Sequence, residues 1–201
     1  MTLLSVNKTR HRRLVRLFLW GQTAPIFLLE FIMKNKVKFL TQGALIAALY
    51  VALTHMQNFL VPGSASWAIQ FRVSEALCVL AFFTPAAVAG LTIGCVLFNL
   101  SFAGALPLDW LVGSGATLLA TAGMYFGRKI TIKGLPLLGL FLPAIFNGLL
   151  VGWELWQVIG TPFWLNAVYV AVGEVAVLLV LGTALYYAII RKGLDKKMLQ
   201  V

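Results

Sequence analysis

The fold class that this sequence predicts is all-α: a polytopic membrane protein with six transmembrane helices. Three observations predict it. Apolar residues make up 61% of the chain and charged residues only 11%, with a mean hydropathy of +0.92, which lies outside the range of soluble domains. The apolar residues fall into long runs separated by short polar segments. The basic residues, which give a net charge of +10, sit at the ends of those runs and form no patch on a folded surface. That pattern orients a chain in a membrane and argues against nucleic-acid binding.

Residues 1–32 differ from the rest of the chain. Lys8, Arg10, Arg12, Arg13 and Arg16 precede a short apolar run, Leu17 to Trp20, broken by Gly21, Gln22 and Pro25, and a second run, Ile26 to Ile32, is interrupted by Glu30. Neither reaches the roughly 20 apolar residues that span a bilayer. An interfacial basic helix, a targeting peptide, and translated sequence upstream of a start at Met33 all fit. The last is the expectation, because Met33 opens MKNKVKF, a basic lead-in to the first strong span. Residues 33–201 are then one membrane domain.

From Phe39 onward, apolar runs occupy 39–58, 67–83, 86–103, 109–127, 135–153 and 164–190. The second is short and joins the third through Thr84-Pro85, where proline suits the first position of a helix. If Lys34, Lys36 and Lys38 are cytoplasmic, so are the fourth-to-fifth loop (Arg128, Lys129, Lys133) and the C-terminal tail (Arg191, Lys192, Lys196, Lys197), as the positive-inside rule asks. Both termini are therefore expected inside. Arg72 and the loops 55–70, 104–107 and 156–163 face outward.

Polar residues inside these runs are the candidates for function, because a carboxylate in hydrocarbon is expensive. The segment from Asn147 to Glu174 holds two glutamates, two asparagines and three tryptophans, Trp153, Trp156 and Trp164. Asn147 and Glu154 are seven apart and so share one helical face. Glu174 lies about 15 Å down its helix from Trp164, near the middle of a bilayer core of about 30 Å, with no base beside it in sequence. Such a carboxylate must be protonated, paired with Arg72, or hydrogen-bonded by a ligand. The tryptophans suit an aromatic belt at the membrane surface, or a pocket that stacks a flat heterocycle.

Other features carry two readings each. Arg72 and Glu75, three apart, form a local ion pair or meet a polar ligand. Asp109 starts the fourth span, where an acid suits a helix N-terminus. Ala44, Ala48 and Ala52 make a smooth ridge on the first span, either for packing within the chain or for docking another membrane subunit. Cys78 and Cys95 lie inside apolar runs and read as small hydrophobes. No phosphate-binding loop, HExxH, CxxC or nucleophile elbow occurs, and His11 and His55 are far apart. An enzyme is therefore not expected, nor a metal site, and active transport would need a partner ATPase or an ion gradient.

Four segments then carry a resemblance: ALIAALYVALT after a basic start, QFRVSEAL followed by FFTPAA, NGLLVGWELW, and GTPFWLNAVYVAVGE. From Met33 onward the chain resembles the QueT family, substrate-binding S components of energy-coupling factor (ECF) transporters. The resemblance implies six helices, a capping first loop and an outward-facing pocket. It also implies that Ala44, Ala48 and Ala52 dock on a transmembrane coupling subunit served by two ATPase subunits, so that ATP is used by the partners and this chain holds no cofactor. The implied substrates are queuosine precursors, 7-deazaguanines such as 7-aminomethyl-7-deazaguanine or queuine. A guanine-like edge would be read by Glu174 or Glu154, its carbonyl by Asn147, Asn166 or Arg72, and its faces by Trp153 or Trp164. An aminomethyl cation would take the second carboxylate, and Glu75 stands beside Arg72 at the same entrance. Two other readings remain beside this one: an S component for a different vitamin-like or amino-acid compound, and a stand-alone ion-coupled carrier using Glu174.

Overall fold

The computed structural model describes residues 35–64, 71–106, 108–132 and 134–197; the expected start at Met33 and all that precedes it lie outside the described residues. The chain divides into two units, Met1–Lys38 and Phe39–Val201. Only residues 35–38 of the first are described, and the second carries the core and the polar residues.

The described residues are helical, with no β-structure beyond one isolated bridge between Ile132 and Leu135. In chain order they are α1 (Asn35–Leu60), a 3-10 helix (Val73–Phe82), α2 (Pro85–Ser101), α3 (Asp109–Gly127), α4 (Leu137–Ile159), α5 (Phe163–Arg191) and a short α6 (Leu194–Lys197). Three of these, α1, α4 and α5, are long and apolar enough to cross a membrane. The 3-10 helix and α2 are apolar but shorter. α3 runs 19 residues and is diluted by Gly113, Ser114, Gly115, Thr117 and Thr121. The run expected at 67–83 is thus not a full α-helical span within its described part. At about 2.0 Å per residue, its ten 3-10 residues reach about 20 Å.

Each helix is set by its small and buried residues. Thr84 caps α2, its side-chain oxygen accepting from the Ala86 amide, with Pro85 at the first helical position. α1 turns Ile46, Ala47, Tyr50 and Thr54 inward, a spacing of three or four residues that marks one helical face. It packs hard against α2: a Cβ on Gly90 would sit 2.5 Å from the Gly43 carbonyl oxygen, and one on Gly94 2.9 Å from the Tyr50 Cβ. α4 and α5 pack along each other in the same manner, since a Cβ on Gly152 would meet the Ala167 Cα and N at 2.9 Å. Small residues permit this approach, which lipid-embedded helices rely on. The main core joins Tyr50, Val79, Leu91, Phe98, Met124 and Leu178 across five elements.

α5 is interrupted by a π-helical turn, Leu178–Gly182, which packs against the 3-10 helix through Gly182 and Val79. Both irregular segments adjoin the buried polar residues of the bundle, and such segments frequently mark functional positions.

Candidate functional site

The 3-10 helix does the first positioning. Residues three apart eclipse on such a helix, so Glu75 and Cys78 fall in line, and the Cys78 thiol donates to Glu75 Oε2 at 3.1 Å. From α1, the Tyr50 hydroxyl donates to Glu75 Oε1 at 2.6 Å. One turn further along α1, Thr54 donates to Ser74 Oγ at 2.7 Å. Glu75 therefore has a donor on each oxygen while being 1% exposed. Arg72, buried at the mouth of this helix, lies with its guanidinium carbon 6.0 Å from the Phe98 ring centre. Phe98 is stacked on Phe102 and meets His55 edge-on.

The close packing of α4 on α5 brings in the second group. Asn147 Nδ2 donates to Glu174 Oε1 at 3.1 Å, both residues being buried. The other oxygen, Glu174 Oε2, is buried and has no hydrogen-bond partner among the described residues. The 3-10 helix, which carries Glu75, packs on α5 through Val79 and Gly182, and Glu75 and Arg72 are the charges acting on Glu174.

Glu154, seven residues beyond Asn147 on the same face, is wholly buried, and neither of its oxygens is hydrogen-bonded among the described residues. The charges acting on it are Asp109 and Arg72, and the Asp109 carboxyl and the Leu108 backbone amide lie close enough to interact with it, though in no hydrogen bond of good geometry. Asp109 accepts from the Leu106 amide at 2.7 Å through Oδ2 and so holds the loop before α3, but it does not cap the helix, whose N-cap residue is Leu108 with no side-chain cap hydrogen bond. The Asp109 backbone carbonyl accepts from Asn99 Nδ2 at 2.8 Å, leaving Asn99 Oδ1 buried without a partner among the described residues.

The fold thus collects Arg72, Glu75, Asn147, Glu154 and Glu174 from three segments, and adds Tyr50, Asn99 and Asp109. Tyr50 and Asn99 were not singled out in the sequence, although each is a polar group within an apolar run. The other expected residues lie elsewhere. Trp153 and Trp164 are 42% and 72% exposed, on the outer surfaces of α4 and α5, because the inward faces there are taken by Gly148, Gly152 and Ala167. The aromatics that accompany the cluster are Phe98 and Phe102 instead. Asn166 is buried but directs its amide protons to the Thr161 carbonyl and hydroxyl at 3.2 and 2.9 Å, bracing the turn between α4 and α5. Ala44, Ala48 and Ala52 are all exposed. The first two line a groove of about 380 Å3 with Gly43, Ala47, Ala89 and Gly90.

Taken together, this is a buried polar cluster of four carboxyl groups and one guanidinium, with three acceptor atoms on Glu154 and Glu174 still open among the described residues. Such an arrangement is suited to holding a ligand rich in hydrogen-bond donors. Its residues come from elements within the range matched by a known family, described as QueT transporter, which covers residues 40–191. The chain is also 35% identical over 159 residues to the queuosine precursor transporter QueT of Lactococcus lactis subsp. cremoris (strain MG1363), covering 73% of this chain and 89% of that protein. No solved structure matches it. Across most of its length, then, the chain belongs to the QueT transporter family.

Proposed function

We propose that the chain is the substrate-binding S component of an ECF importer, and that it takes up a queuosine precursor, a 7-deazaguanine such as 7-aminomethyl-7-deazaguanine or queuine. The relative's name supports the substrate class, and the exposed alanines of α1 beside a shallow groove support docking on a coupling subunit whose two ATPases supply the energy. The six apolar segments, some short, fit a six-span bundle with cytoplasmic termini.

The observation that carries the reading is Glu154, wholly buried, with neither oxygen in a hydrogen bond of good geometry among the described residues and with a second carboxyl, Asp109, and the Leu108 backbone within reach of it. A carboxylate left in that state is strongly disfavoured. A guanine-like edge presents N1–H and an exocyclic amino group side by side, and the two together satisfy both oxygens in a bidentate pair. Asp109 stands beside Glu154 to take the remaining amino proton, and Arg72 is the donor for the ring carbonyl.

The test is titration of the detergent-purified chain with 7-deazaguanines and with common vitamins. Binding of the deazaguanines is expected, weakened about tenfold or more in Glu154→Gln, which turns one acceptor oxygen into a donor. Vitamin binding in place of deazaguanine binding, or an unaffected Glu154→Gln, overturns the substrate assignment. Uptake by cells carrying this chain without coupling and ATPase subunits overturns the S-component assignment and favours an ion-coupled carrier.

A further inference from the structure

Three polar residues descend one side of α1 at helical spacing. Tyr50, Thr54 and Gln57 stand four and then three residues apart, so they share a face. Each grips the segment that opens the 3-10 helix, in reverse order along it. Tyr50 donates to Glu75 Oε1 at 2.6 Å and Thr54 to Ser74 Oγ at 2.7 Å. Gln57 bonds to backbone instead: its Oε1 accepts from the Val73 amide at 2.7 Å, and its Nε2 donates to the Phe71 carbonyl. The remaining Nε2 proton goes to Ser64 Oγ at 2.9 Å, and the Phe71 amide donates to the Ser64 carbonyl at 3.1 Å. Reversing the Gln57 amide would set a donor against the Val73 amide and an acceptor against the Phe71 carbonyl, so it has one sense.

The residue between those two backbone contacts is Arg72. Its backbone is extended, with φ −91° and ψ 100°, and side chains alternate along an extended chain. Phe71 and Val73 are accordingly 45% and 37% exposed, whereas Arg72 between them is buried. Gln57 takes the place of a peptide group on a neighbouring strand, and so fixes which of the three side chains turns inward. We infer that Gln57 is a positioning residue for Arg72: its amide clamps the backbone on both sides of the arginine and holds the guanidinium inside the bundle, where it meets the ligand. The last clause rests on the deazaguanine reading, in which Arg72 is the donor for the ring carbonyl; the clamp itself does not.

The test uses the purified full chain and two variants. Gln57→Ala removes the clamp, and Gln57→Glu keeps its size but sets an acceptor against the Phe71 carbonyl. Phenylglyoxal, an arginine-selective reagent, with peptide mass mapping reads the accessibility of Arg72 without ligand. Arg128, held over the Tyr125 ring and bonded to its carbonyl, reports on the rest of the fold. Modification of Arg72 is expected to speed up about tenfold or more in both variants, with Arg128 unchanged. Affinity for 7-aminomethyl-7-deazaguanine should fall about tenfold in Gln57→Glu, yet fall no further when Gln57→Glu is added to Arg72→Gln, because a residue that acts through another is not additive with it. An unchanged rate at Arg72, a rise shared equally with Arg128, or losses of affinity that add in full overturn the positioning role. A clamp-dependent rate at Arg72 in a chain that binds no deazaguanine overturns the deazaguanine reading and leaves the clamp standing.

Discussion

Replacing Gly152 by alanine puts one methyl group where α4 lies hard against α5. The new Cβ would meet the Ala167 Cα and N at 2.9 Å and its Cβ at 3.1 Å. Carbon atoms rest at about 3.5–4.0 Å, so the helices must part by up to about 1 Å, and the atoms in the way belong largely to backbone that has no rotamer to change. Overpacking of this kind costs about 1–3 kcal/mol, offset by about 1 kcal/mol for replacing a helical glycine with alanine. Gly115 on α3 is the control: its Cβ would find nothing within 4 Å, so Gly115→Ala keeps the gain of about 1 kcal/mol. The two variants should differ by about 1–3 kcal/mol, or about 2–12 °C in thermal midpoint at about 2–4 °C per kcal/mol for a chain of this size. Ligand affinity should fall only in Gly152→Ala, because Asn147 and Glu174 sit on the same helix pair, and their 3.1 Å contact lengthens as it opens. Thermal unfolding in detergent and ligand titration read the two effects. If Gly152→Ala is stabilised as much as Gly115→Ala, the α4–α5 contact does not hold the site together.

Two further predictions separate bracing and docking from ligand binding. Asn166→Ala removes both hydrogen bonds to Thr161 and should destabilise the chain by about 1–2 kcal/mol while leaving deazaguanine affinity in place; a loss of affinity equal to that in Glu154→Gln would return Asn166 to the binding site. Ala48→Trp adds bulk to an exposed helix face, so ligand binding by the purified chain should persist. Uptake in cells that also express the coupling and ATPase subunits should drop about tenfold or more if an affinity near 1.4 kcal/mol is lost at the dock, and unchanged uptake would move docking elsewhere.

How legible these features were differs from residue to residue. Asn147, Glu154 and Glu174 stand out in the sequence because each is a polar side chain inside an apolar run, and the seven-residue spacing already places two of them on one face. Their pairing across α4 and α5 was not visible, since it depends on Gly148 and Gly152 meeting Ala167, a relation between segments about fifteen residues apart. The exposed tryptophans agree with the aromatic-belt reading and not with the pocket, for a related reason. An indole near a carboxylate in sequence points away from it when the helix turns 100° per residue, so Trp153 is exposed where Glu154 is buried. Tyr50 looked like one more apolar residue of α1 until the fold laid Glu75 across it, 25 residues away.

Composition and hydropathy alone determined that this is an all-helical membrane protein, because burying apolar side chains in lipid and satisfying every backbone amide within a helix are local demands that any 20-residue window reveals. The alanine ridge also follows from spacing on one helix, whereas its exposure was decided by the fold. Only the tertiary structure decided that Val73–Phe82 of the second apolar run is a 3-10 helix, that Glu75 is clamped by Tyr50 and Cys78, and that Glu154 and Glu174 keep oxygens open among the described residues. Those outcomes depend on which helices approach closely enough to exclude water and supply donors, and a buried hydrogen bond is a property of the pair of groups that makes it.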